Sequence, residues 1–111
     1  MKKNIVKTKV IETDFFADYA KSLKNNPSKM RSFRKRIIEE YNKNKDMALF
    51  LENLKILAMA SGNVSALAKK SKIQRHSVYN ILSKDSNPLL MNVVNIMDNL
   101  DICFIAKPKT A

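Results

Sequence analysis

Apolar residues recur at helical spacing through most of this chain. Between Met47 and Ala60 they fall at Met47, Phe50, Leu51, Leu54, Leu57 and Ala58, the rhythm of a helix that buries one face. Asp46 stands where an N-cap belongs, and Ser61-Gly62 where a helix ends. Upstream, Phe15, Phe16, Tyr19, Ala20 and Leu23 mark a helix capped by Thr13 or Asp14 and running to about Lys24. Asn25-Asn26-Pro27 interrupts it, and Met30, Phe33, Ile37 and Tyr41 then form a narrow stripe on a second helix, from about Ser28 to Asn42. Downstream, Leu90, Val93, Val94, Met97 and Leu100 mark a last helix, from Leu89 or Leu90 to Leu100, entered through a polar loop closed by Pro88.

Two segments read differently. Asn4 to Glu12 alternates weakly, with Val6, Thr8 and Val10 on one side, and is a candidate strand. Ile102-Cys103-Phe104-Ile105-Ala106 is apolar on both faces, and Pro108 stops it. A lone edge strand of that kind is not tolerated in water, so it calls for a second strand. Two sources exist: the N-terminal segment, or the same strand of a second subunit. Ile102, Cys103, Phe104 and Ile105, with the helix before them, are the expected homodimer surface.

Gly62 to Ser83 breaks into two short helices around a tight turn. The first spans Val64 to Ser71 and turns Leu67 and Ala68 inward; the second starts at Arg75, with Gln74 or its neighbour as cap, and turns Val78, Ile81 and Leu82 inward. Ile73 plugs the turn. This is the layout of a helix-turn-helix, whose second helix enters the DNA major groove and offers its first side chains to base edges. The expected fold is mainly α, a helix-turn-helix bundle with a short C-terminal strand and a candidate N-terminal one. A basic extension, residues 1–45, precedes a DNA-binding domain, residues 46–111, that ends in the dimerisation strand.

Charge sharpens the picture. The chain of 111 residues carries a net +11. Its first 45 residues hold 13 basic and 5 acidic groups, against 8 and 5 in the remainder. The densest block runs from Lys24 to Arg36 with no acid inside it. A solvated lysine-rich face is one explanation; attraction to phosphates through counterion release is the other. On that second explanation Arg31, Arg34 and Lys35 touch phosphates flanking the helix-turn-helix site.

Other chemistry is missing. His76 is the only His and Cys103 the only Cys, too few for a metal site. One Gly cannot build a phosphate loop, and Glu39-Glu40 point apart on a helix, so no enzyme, metal or cofactor is expected. A single Cys suits a reducing compartment. No apolar run approaches the roughly 18 residues of a membrane span, and Lys7 and Lys9 interrupt the segment a signal peptide would need. A cytoplasmic chain without a membrane partner is expected.

The candidate DNA contacts follow from side-chain geometry. Arg75 can pair bidentately with guanine, and Gln74 or Asn80 with adenine; Arg75 equally suits a phosphate clamp. His76 and Ser77 stand at the start of the same helix, and Tyr79, a further candidate reader, equally suits a half-buried place with its hydroxyl on a phosphate. Ser65, Lys69 and Lys70, on the first helix, fit backbone contacts.

From Asp46 to Ala106 the chain resembles the addiction-module antidote family, the helix-turn-helix antitoxins of small toxin–antitoxin pairs. The resemblance rests on Asp46-Met47-Ala48-Leu49, Val64-Ser65-Ala66-Leu67-Ala68, Ile73-Gln74-Arg75-His76-Ser77-Val78-Tyr79, Leu82-Ser83, Asn87-Pro88, Val93 to Met97 and Leu100-Asp101-Ile102. Ala66 stands where the family usually has Gln, and Lys72 and Asp101 where it usually has Gly. The resemblance implies a lambda-repressor-like bundle that dimerises on a palindromic double-stranded operator, represses its own operon and neutralises a small toxin protein. Residues 1–45 match poorly and are the natural place for the toxin contact, although a +8 segment suits a basic toxin badly. Two other readings stand beside it: a prophage or plasmid regulator without a toxin, and a protein-interaction module whose charge serves solubility.

Overall fold

A computed structural model of the chain describes residues 17–62, 64–83, 85–105 and 107–109. These form helices and, among the described residues, no strand. In chain order they are α1, residues 17–24; α2, Pro27–Asn44; α3, Met47–Ala60; α4, Val64–Ser71; α5, Arg75–Ile81; and α6, Leu90–Asp98. The expected caps of α1 at Thr13 or Asp14, its Phe15 and Phe16, and the candidate N-terminal strand lie outside the described residues.

The interruption at residues 25–27 sharpens into an N-terminal cap. Asn26 Oδ1 accepts the Lys29 N–H at 3.1 Å, and Pro27 opens α2, where a missing N–H loses no helical bond. At the other end Lys45, at φ 55°, donates its N–H to the Tyr41 carbonyl at 2.7 Å. Asp46 then caps α3 by accepting the Leu49 N–H at 3.1 Å. One residue closes α2 and the next opens α3, so the two helices are joined by two residues and pack on each other.

α3 lies at the centre. Phe50, Leu51, Leu54, Ile56, Leu57, Ala58 and Ala60 are all buried, an arc too wide for a helix with a single covered face. It packs against α2 and against α4. That explains one departure from the expected face, the burial of Ile56; a second is Met47, in the first turn, which is 48% exposed. Ala20 and Leu23 of α1 and Phe33 and Ile37 of α2 belong to the same core as Leu67, Val78, Leu82, Ile96 and Leu100, so burial runs unbroken across residues 45 and 46.

Three further helix ends turn on left-handed residues. After α4, Lys72 takes φ 58°; its N–H donates to Lys69 O at 3.2 Å, and Ile73 N–H donates to Ala68 O at 2.9 Å. After α6, Asp101 takes φ 64° and the same pair of bonds recurs, Asp101 to Asp98 at 3.4 Å and Ile102 to Met97 at 2.9 Å. Both are Schellman closures, with an apolar residue, Ile73 or Ile102, folding back on the helix it leaves. Gly62, at φ 88°, ends α3. Lys72→Gly should raise stability by about 1 kcal/mol, because a side chain with a Cβ is strained in this region. Thermal unfolding checks this, with an expected rise of roughly 4–8 °C in Tm.

The expected C-terminal strand is absent among the described residues. α6 ends at Asp98 instead of Leu100, and the closure at Asp101 turns the chain sharply, so that Ile102 is spent as a buried core residue. Residues 103–105 that follow are exposed and carry no regular structure.

Candidate nucleic-acid interface

α4 and α5 meet across the three-residue turn at 72–74 and both pack on α6. One buried polar contact helps hold this arrangement. Ser71, at the end of α4, is buried, and its Oγ accepts from Asn99 Nδ2 at 3.1 Å; the same amide donates to Asn95 O at 2.9 Å. A buried hydroxyl left without a partner would cost about 1–3 kcal/mol, so this contact favours one docking of α4 against the end of α6.

On α5, Val78 is fully buried and Leu82 follows it into the core. Opposite Val78, helical geometry sets His76 and Asn80 one turn apart; Arg75 and Tyr79 form the neighbouring row. Gln74 is the N-cap by backbone position, but its side chain makes no capping bond. Gln74, Arg75, His76 and Asn80 are exposed, while Ser77 and Tyr79 are half-buried. Ser77 stands on the other flank of the helix, away from the Arg75–Tyr79 row. On α4, Ser65, Lys69 and Lys70 are exposed around the inward Leu67, Ala68 and Ser71.

Two lysines join this surface that the apolar pattern alone does not indicate. Lys55 of α3 places its ammonium 5.8 Å from the centre of the Tyr79 ring. Lys24, at the end of α1, lies over the turn before α4; a Cβ at Gly62 would stand 3.1 Å from its Cε and 3.2 Å from its Nζ. A signal for Lys55 exists in the sequence, because residues 53–84 contain Lys55, Lys69, Lys70, Lys72, Arg75 and Lys84 and not one Asp or Glu. Lys24 opens the acid-free block that runs to Arg36, but its place over the turn before α4 depends on how α1 packs.

The basic block on α2 is divided by its contacts. Arg36 Nη2 donates to the Tyr19 hydroxyl at 2.6 Å, its guanidinium stands 5.4 Å from the Phe33 ring centre, and its Nε lies 3.5 Å from Glu40. Lys29 lies 5.8 Å from the Tyr19 ring centre. These two tie α1 to α2. Arg31 and Lys35 are exposed and Arg34 is half-buried, and among the described residues none of the three has an ion pair. Packing does not gather them with α5: α2 packs on α1 and α3, whereas α4 and α5 pack on each other and on α6.

Of the expected dimer residues, Ile102 is buried, while Cys103, Phe104 and Ile105 are exposed. Among the described residues no helix is long and apolar enough to cross a membrane, and no three His, Cys, Asp or Glu side chains gather as metal ligands. No family model, no curated protein and no solved structure matches this chain.

Proposed function

We propose that this chain is a DNA-binding antitoxin of a toxin–antitoxin module, a non-enzymatic protein that neutralises a small toxin and represses its own operon. In this reading α4 and α5 are a helix-turn-helix and α5 enters the major groove. The observation that carries the DNA-binding part is the exposure of Gln74, Arg75, His76 and Asn80, at the cap and along the outer side of a helix anchored from behind by Val78, within an acid-free stretch of chain. Side chains that carry paired donors or a donor with an acceptor, held on a rigid element at groove width, suit base edges. The flanking Lys69, Lys70 and Ser65 suit phosphates.

The antitoxin part is supported by the backbone. Lys72 and Asp101 stand at the two positions where the resembling family usually has Gly, and both take left-handed φ. The chain thus makes the turns such glycines would serve, although other side chains occupy them. One α4–α5 pair spans a half-site, so a palindromic operator is read by two copies.

Arg75→Ala should weaken operator binding by about 1–3 kcal/mol if Arg75 reads a base, with preference at one position relaxed. If it clamps phosphate, affinity falls for all sequences alike. Titration of operator and scrambled duplexes at fixed salt separates the two, and unchanged affinity for every duplex would sink the DNA-binding assignment. A regulator with no toxin is the second reading. It is favoured by Arg31, Arg34 and Lys35 of α2, which have no ion pair among the described residues and suit DNA better than a basic toxin. Co-expression with the neighbouring gene and co-purification distinguish the two readings.

A further inference from the structure

Lys55 has a carboxylate at pairing spacing along its own helix and does not use it. Glu52 stands one turn before it on α3, a separation at which helix ion pairs form. Among the described residues Lys55 makes no ion pair, and its ammonium lies instead 5.8 Å from the centre of the Tyr79 ring on α5. Both residues are half-buried, so the contact occupies the seam between the two helices. A lysine stem packs well in such a seam while its charged head stays at the water. The ring face attracts the cation without neutralising it. The chain around it supplies no countercharge either, because residues 53–84 contain no Asp or Glu. Arg75 stands one turn before Tyr79 on the same row of α5, so a second cation flanks the ring. The phenol adds a hydroxyl that can donate.

We propose that Lys55 and Tyr79 together hold one backbone phosphate of the DNA duplex, the ring aiming the ammonium and the phenol hydroxyl donating to the same group. The proposal rests on the reading that α5 enters the major groove, and it adds a contact from α3, a helix outside the helix-turn-helix pair. Chemistry selects the ligand: two cations and a neutral donor, with no acid among them, suit an anion that accepts from several sides at once. Position selects backbone over base. Lys55 belongs to α3 and is half-buried, so it cannot follow α5 to the base edges, whereas phosphates line the rim of the groove. One phosphate held by both α3 and α5 fixes the depth and tilt at which α5 sits. The clamp therefore positions the reading side chains and reads no base itself.

The test follows binding of the full chain to two probes, a duplex covering the DNA upstream of its own gene and a scrambled duplex of equal length, from about 50 to 200 mM salt. A phosphate contact acts on both alike, so the result does not depend on knowing the operator. Lys55→Met keeps the stem on the ring and removes the charge. It should flatten the slope of log affinity against log salt by about 0.9 on both duplexes and weaken binding about fivefold at physiological salt, with the preference between duplexes unchanged. Lys55→Arg should restore the parent's slope. Tyr79→Phe, which keeps the ring and loses the hydroxyl, should weaken both duplexes about tenfold with no change in slope. With Tyr79→Leu, which removes the aiming ring, the further change Lys55→Met should cost less than about twofold. Lys55→Met and Tyr79→Phe should melt close to the parent, because each keeps the contact between stem and ring. A parent that binds neither duplex overturns the DNA-binding reading and the clamp with it. A parent that binds, with Lys55→Met at the parent's slope and affinity, overturns the clamp alone and leaves Lys55 as a cover for Tyr79. Weaker binding at an unchanged slope, together with a lower melting temperature, also overturns it and makes the contact a packing device.

Discussion

Phe33→Ala should lower the stability of the whole chain by about 3–5 kcal/mol, a large share of the roughly 5–15 kcal/mol that holds a domain folded. Phe33 is buried at the junction of α1 and α2. Its ring meets Tyr19 edge-on, with centroids 5.4 Å apart and planes at 88°, and the Arg36 guanidinium covers it. Truncation leaves a cavity that neighbours on two helices cannot fill without moving. Because the core continues from Phe33 and Ile37 into α3 and on to α4 and α6, the loss should shift one cooperative transition. Denaturant unfolding followed by circular dichroism and by Tyr fluorescence checks this. Coincident curves at a lower midpoint are expected. An early, separate phase with an unmoved main transition would mean that α1 and α2 are an appendage to an independently stable bundle.

Replacing Arg31, Arg34 and Lys35 together by Gln should reduce DNA affinity on the order of 10²-fold at physiological salt, with base preference intact. The hypothesis behind it is that these three side chains touch phosphates beside the α4–α5 site. Each neutralised phosphate contributes about −0.9 to the slope of log affinity against log salt, so three contacts amount to about 2–3 units of slope. The motivation is their freedom: Arg36 and Lys29 are engaged with Tyr19 and Phe33, whereas these three have no ion pair among the described residues. Their place on a helix that packs on α1 and α3 and not on α5 makes the experiment decisive. Exposed charges further than about 8–10 Å from DNA are screened and would leave the slope unchanged. A triple variant with the parent's slope that no longer co-purifies with the neighbouring gene product would reassign this face of α2 to a protein partner.

The local devices of this fold are legible residue by residue. Asp46 caps α3, Val64 and Ser71 bound α4, and Arg75 opens α5 as the sequence predicts, because caps and breakers act through near neighbours. Leu67, Ala68, Val78 and Leu82 are buried as their spacing requires. The expected end of α2 at Asn42 falls two residues short of the observed one at Asn44. No Gly or Pro marks the stop there; it is Lys45, adopting φ 55°, and a lysine does not announce a left-handed turn. The strand expected at residues 102–106 fails for a related reason. An apolar run satisfies a strand or a plug equally well, and the left-handed turn at Asp101 decides for the plug at Ile102.

Residue order therefore carries whatever depends on contacts within a turn or two: the helices, most of their caps, the exposed polar row of α5, and the uneven charge. Packing settles the features that join residues far apart in the chain. It buries Ile56 by placing α3 among several neighbours, brings Lys55 to Tyr79 and Lys24 to the α3–α4 turn, and uses Asn99 to satisfy Ser71. It also gathers Met47, Leu90 and Phe104 around one uncharged groove. Periodicity tells which side of a helix is apolar; only packing tells which neighbour covers it, and which apolar side chains are left uncovered for a partner.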